Sequence, residues 1–188
     1  MQLERKSDWE EVFLTWENRE AKDPVWTEHA KEKGFPDWRS WRGSIASKAQ
    51  MDSLHWELFK FENPIEEIPK MIIGPFPSWQ AMITEPQKNQ MSFEEFFKIP
   101  ERYESYRKHP KVISIMDYFR HFDGKTICLT GFIRKEDGKI VCVEGHHTSS
   151  AYTLAKMNGY DLRGVKIKIF LAARNLNGFS FEKVQRND

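Results

Sequence analysis

Apolar side chains recur along this chain in two rhythms, and the change from one to the other divides it. Trp9, Val12, Phe13 and Trp16 fall at the three- and four-residue spacing of one helix face, behind Ser7-Asp8-Trp9-Glu10, which reads as a capping box. Asp23-Pro24 supplies a cap and a proline for the first helical position of a second helix, closed by Gly34. Asp37 is placed to cap a third, carrying Trp38, Trp41, Ile45 and Ala49. Residues 54–61 mix the two periods and are read as a strand. Four prolines and Gly74 between Pro64 and Pro77 leave room for a short extended piece at Met71-Ile72-Ile73. Ser92-Phe93-Glu94-Glu95 is a second capping box, opening a short helix that buries Phe93, Phe96 and Phe97.

From Pro110 onward the signals sharpen. Val112, Ile115, Met116 and Phe119 have the spacing of an amphipathic helix that ends by Asp123-Gly124. Thr126 to Ile133 and Lys139 to Val143 are rich in strand formers, and Lys135-Glu136-Asp137-Gly138 between them has the chemistry of a hairpin turn, so they are expected to pair antiparallel. Thr148 to Asn158 reads as a helix stopped by Gly159, and Val165, Ile167, Ile169 and Leu171 alternate as the buried face of a last strand. The order is helix, strand, strand, helix, strand. The expected class is α+β, with a small mixed-sheet core over residues 101–188 and a mainly helical, Trp-rich extension or subdomain over residues 1–100.

Composition supports that division. All seven tryptophans lie before residue 80, and the formal charge of +1 conceals an acidic first hundred residues and a basic remainder. With 39% hydrophobic and 14% aromatic residues the composition is that of a globular protein rather than a disordered one. No apolar run approaches the ~20 residues of a membrane span, so no membrane partner is expected. Cys128 and Cys142 are read as buried thiols, and with no basic-then-apolar leader a cytoplasmic location is expected.

The densest candidate chemistry lies at Val143-Glu144-Gly145-His146-His147-Thr148-Ser149-Ser150, where a strand closes and a helix opens. A helix start leaves backbone amides unpaired and carries partial positive charge, and a glycine before it lets an anion come close. The rings of His146 and His147 and the hydroxyls of Thr148, Ser149 and Ser150 could add donors, so these residues with Gly145 form a candidate phosphate cradle. Glu144, His146 and His147 are the candidate catalytic residues, the carboxylate orienting a histidine or holding Mg²⁺ through water. Adjacent histidines chelate one ion poorly and no further ligands have suitable spacing, so no zinc site is assigned.

Val143-Glu144-Gly145-His146-His147 resembles the acid-Gly-His-His-Arg box found in members of the ParB/sulfiredoxin superfamily, notably the archaeal free-serine kinases. The resemblance implies a ParB/sulfiredoxin-like core in which the box holds the phosphates of a nucleotide, and residues 110–172 follow the expected order of elements. The family's box closes on arginine where this chain has Thr148, which removes a fixed cation. Sulfiredoxin's catalytic cysteine falls within its own box, where this chain has histidine, so sulfinic acid reduction is disfavoured. The kinases take a base from a glutamate far upstream, for which Glu66 and Glu67 lie in a plausible region. The expected function is therefore a phosphotransferase that uses ATP, ADP or another nucleotide with Mg²⁺ and acts on a small hydroxyl compound. The alternatives are a non-catalytic ParB-like module binding nucleotide or nucleic acid, and a ParB-like nuclease.

Other features have blander readings. Trp38-Arg39-Ser40-Trp41-Arg42 could stack bases, but tryptophans three apart share a helix face and are better explained as core. Lys125, Arg134, Lys135, Lys139, Lys166 and Lys168 could form a basic sheet edge or simply a solvated one, and the small net charge argues against strong nucleic-acid binding. His109 and His121, at the two ends of one helix, are read as structural.

Overall fold

Three aspartates set out the first helices. In the computed structural model, which describes residues 1–176, strand β1 (Gln2–Ser7) leads into α1 (Trp9–Glu20), then α2 (Pro24–Glu32) and α3 (Trp38–Lys48). Asp8, Asp23 and Asp37 each accept a backbone N–H in the first turn of the helix that follows, satisfying a donor that would otherwise be unpaired. The first cap is thus Asp8 rather than Ser7, whose hydroxyl instead donates to Glu11. Next come β2 (Trp56–Lys60) and two single-turn helices with proline at their first position, α4 (Pro64–Glu67) and α5 (Pro77–Gln80). After three more helices the chain returns to the sheet: α6 (Phe93–Phe97), α7 (Pro100–Tyr106) and α8 (Pro110–Arg120) precede β3 (Ile127–Arg134). The capping box at Ser92 and Glu95 is formed in both directions. Then follow β4 (Ile140–Glu144), α9 (His146–Met157) and β5 (Ile167–Arg174).

The strands form one mixed sheet in the order β1-β2-β5-β3-β4. As the turn chemistry predicted, β3 and β4 pair antiparallel, while β5 returns through α9 to lie parallel to β3. β5 also pairs antiparallel with β2, so the sheet runs across the boundary expected near residue 100. The Trp-rich first part is not a separate extension: it contributes two strands and a layer of helices. The remainder of the expected second region, residues 177–188, lies outside the described residues.

Alternation along the strands assigns the faces. Phe170 and Ala172 of β5, Phe132 of β3 and Trp56 and Leu58 of β2 are buried with Val12, Phe13, Trp16, Trp38 and Trp41 of α1 and α3. Ile167, Ile169 and Leu171 of β5 and Leu129 of β3 are buried on the other side with α6, α8 and α9. The sheet is therefore covered by helices on both faces, and the β4 edge lies where the two layers meet. No helix among the described residues is long and apolar enough to cross a membrane.

Candidate functional site

The box stands at the end of β4. Glu144 is the last strand residue, Gly145 adopts φ 103° in the left-handed region, and His146 opens α9. A side chain at Gly145 would be strained by that φ, and its Cβ would stand 2.5 Å from Leu129 Cδ2. The N-cap residue is a glycine and no side chain among the described residues caps α9, so its first-turn amides keep the open valence of a helix start.

Residues 71–74 hold this turn from outside. The expected extended piece runs beside β4: Ile72 N–H donates to Ile140 O (2.8 Å) and Cys142 N–H to Ile72 O (2.9 Å). Gly74 then passes so close that a Cβ on it would meet the Cys142 carbonyl oxygen at 1.9 Å. Its N–H donates to His146 Nε2 (3.1 Å), and its carbonyl accepts from Gln80 Nε2 (2.8 Å). With Nε2 accepting, His146 is neutral and carries its proton on Nδ1. The ring packs among Phe76, Trp79 and Phe93, and burial pushes its pKa down to about 4, against the pull of Glu144.

The residues expected to act together separate by depth. Glu144, Gly145, His146, His147 and Thr148 line a cleft of about 520 Å³. Ser149 and Ser150 do not: both are fully buried, because the helix rotation that brings Thr148 to the cleft turns the next two residues inward. Ser149 Oγ lies 4.0 Å from Cys142 Sγ, and Ser150 Oγ has no partner among the described residues. Their hydroxyls are placed in the core rather than in a phosphate cradle. Glu66 and Glu67 are likewise elsewhere, Glu66 paired with Lys156 (3.0 Å) toward the far end of α9 and Glu67 with the Met1 amino group (2.8 Å). No cluster of three or more His, Cys, Asp or Glu side chains arranged for a metal occurs among the described residues.

The opposite wall comes from the Trp-rich helices, and sequence reading missed it. Arg19 of α1 approaches Glu144 at 3.1 Å. Beside it, Arg42 of α3 forms a two-pronged pair with Glu20 (2.7 and 2.8 Å), whose Oε2 also accepts from Trp38 Nε1 (2.9 Å). The Arg42 guanidinium is enclosed by the rings of Trp41, Trp26 and Trp16 at 4.6, 5.5 and 5.9 Å. Trp16 is pinned in turn by donating to Thr130 Oγ1 (2.8 Å). The expectation that Trp38 and Trp41 belong to the core holds, and Trp41 and Arg42 also line the cleft.

Charge is distributed unevenly over these walls. Burial alone would raise the Glu144 carboxyl, but Arg19, Arg42 and the Gly145 N–H overcome it and hold it below the usual carboxylate range. For Glu20, burial outweighs Arg42, and the nearby Glu144 charge adds to it, so its carboxyl is raised. Across the cleft, His147 lies 5.6 Å from Trp79 and 5.1 Å from His109, ring to ring, and His109 stacks on Tyr106. Burial, with Lys111 and His109 reinforcing it, pushes the His147 pKa down to about 4. Lys111, exposed on α8, sits 5.3 Å above the Trp26 ring and so links the two walls.

The basic sheet edge largely neutralises itself. Arg134 pairs with Asp137, Lys139 with Asp137, Lys125 with Asp123 and Lys168 with Glu4. No family model matches the chain, and no curated protein or solved structure matches it either.

Proposed function

We propose that this cleft binds a phosphorylated ligand carrying an aromatic ring, a nucleotide such as ATP or ADP, and that the protein transfers its phosphate to a small hydroxyl compound. The observation that carries this reading is the uncapped start of α9 opening, with Thr148, into a tryptophan-walled cleft that also holds Arg19 and Lys111. Helix amides and fixed cations suit phosphate oxygens, and indole faces suit a base. The volume suits a ligand larger than inorganic phosphate, since ligand sites commonly enclose ~300–1,000 Å³. The likeness of Glu144-Gly145-His146-His147 to the ParB/sulfiredoxin box supports the same reading.

Phosphoryl transfer asks for positioning and charge stabilisation more than for covalent chemistry. The α9 amides, Thr148 and Arg19 would hold the phosphates, and neutral His147 would accept a hydrogen bond or a proton from the acceptor hydroxyl. Glu144 would keep Arg19 in the cleft until ligand arrives. Mg²⁺ would supply charge neutralisation when bound, and Glu144 is the cleft carboxylate that would hold it through water once Arg19 leaves, Glu20 being paired to Arg42. Binding without transfer is the second reading, favoured by the engagement of His146 with Gly74.

Calorimetric titration with ADP and ATP, followed by incubation of ATP, ADP and CTP with Mg²⁺ and a panel of small hydroxyl compounds, tests both. Saturable binding with transfer or release of phosphate supports the first reading, and binding alone supports the second. Failure of every nucleotide and of inorganic phosphate to bind would refute both.

A further inference from the structure

The two arginines of the cleft differ in how firmly they are held. Arg42 is fixed by two hydrogen bonds and three indoles, and its side chain is 13% exposed. Arg19 makes a single approach to one oxygen of Glu144, and its side chain is 31% exposed. A partly solvated contact of that kind contributes little and is readily exchanged. Arg19 also stands against the residue that adjoins Gly145, so its guanidinium is already at the start of α9.

We propose that Arg19 is the exchangeable clamp of the site: when ligand binds, its guanidinium leaves Glu144 and takes two phosphate oxygens. This rests on the phosphate-binding reading above and adds a residue to it. Thr148 brings no charge to the box, and α1 brings one to it in Arg19. A planar guanidinium matches phosphate with two parallel N–H donors, which the single contact with Glu144 does not use. Glu144 is not stranded by the exchange, because the field of Arg42 and the Gly145 N–H remain. Lys111 cannot take the role in the same way, being a point charge held over Trp26 on the other wall. The Trp-rich layer thus has a function besides packing: it carries the phosphate clamp.

The test is calorimetric titration of the full chain with inorganic phosphate and with ADP, comparing wild type, Arg19→Ala, Arg19→Lys, Glu144→Gln and the double variant Arg19→Ala/Glu144→Gln. Arg19→Ala is expected to weaken binding about tenfold to a hundredfold, the usual effect of losing a charged hydrogen bond, with Arg19→Lys recovering part. Melting temperatures of the Arg19 variants stay within a few degrees of wild type, because the pair that is lost is partly solvated. Glu144→Gln releases the clamp and so tightens binding, and that gain shrinks in the Arg19→Ala background. If wild type binds and Arg19→Ala binds equally well, or if the Glu144→Gln gain is the same with and without Arg19, the clamp is refuted while phosphate binding stands. If wild type binds neither probe, the phosphate reading itself fails.

Discussion

The Gly74 N–H donates to Nε2 of His146 from 72 residues away, and this bond ties the strap beside β4 to the first residue of α9. It exists only while His146 is neutral, so it carries a pH dependence whose sign follows from the depressed pKa. With a folded value of about 4 against 6.5 unfolded, the unfolded chain binds the extra proton between those values. Stability is complete above about pH 6.5 and is lost as pH falls toward 4, by about 3 kcal/mol from this residue. His146→Gln places an amide oxygen where Nε2 stood and has nothing to titrate. Urea unfolding at pH 7.5 and 5 should therefore show a smaller acid loss in the variant, and an equal loss would place the acid sensitivity elsewhere.

The two glycines that frame the box differ in what a methyl group would strike. At Gly145 the obstacle is a leucine side chain, Leu129 Cδ2 at 2.5 Å, together with φ 103°. Gly145→Ala is expected to cost about 1–3 kcal/mol and to weaken phosphate binding by shifting the α9 amides. At Gly74 the obstacle is the Cys142 carbonyl oxygen at 1.9 Å, which belongs to the β4 backbone and cannot rotate away. Gly74→Ala should be the more damaging in urea midpoint, since the strap must leave the sheet edge. A milder effect at Gly74 than at Gly145 would contradict this geometry.

Glu20 is 6% exposed and serves three donors, two from Arg42 and one from Trp38. Glu20→Ala leaves Arg42 as a buried charge without its partner, an arrangement that commonly costs about 3–5 kcal/mol. Replacing both members, Glu20→Met with Arg42→Met, removes the orphaned charge, so the double variant is expected to be more stable than Glu20→Ala alone. Thermal unfolding of the single and double variants measures this, and simple additivity of two large losses would show that the pair does not act as a unit.

How far these relationships could be read beforehand depended on how local they are. The strand-to-helix junction at Glu144-Gly145 follows from a run of strand formers, a glycine and a helical period within a dozen residues, and the hairpin before it follows from its turn. β1 gave no such signal, because Gln2–Ser7 is an almost wholly exposed edge strand with no alternation to read. The single-turn helices α4 and α5 and the seven-residue α7 are too short to show a period, although each has proline at its first position. The cationic wall was hidden for another reason. Arg19, Glu20 and Arg42 lie more than a hundred residues before the box, and on amphipathic helices they look like ordinary flanks of a tryptophan face. What brings them to Glu144 is the insertion of β5 between β2 and β3, a non-local pairing that no short window contains. The clustering of Trp38, Trp41 and Arg42 was the available clue, since an arginine set among buried tryptophans needs an acid nearby.

His147 should register the arrival of an anion as a proton. Its pKa of about 4 reflects burial first and then Lys111 on α8 and His109 just before that helix, with Glu144 pulling the other way on its own side of the cleft. A bound oxyanion offsets Lys111 and stabilises imidazolium, so the pKa rises on binding and the complex takes up protons. The uptake begins just above the free value, so it is present near pH 5 and vanishes at pH 8. Sulfate is the suitable probe because it keeps its double charge throughout and contributes no proton of its own. Calorimetry at pH 5 in two buffers of different ionisation enthalpy should give heats that differ by the fraction of a proton absorbed, and His147→Asn should abolish the difference while leaving a weaker binding isotherm. Buffer-independent heats in the wild type at pH 5 would mean that the anion does not sit beside His147.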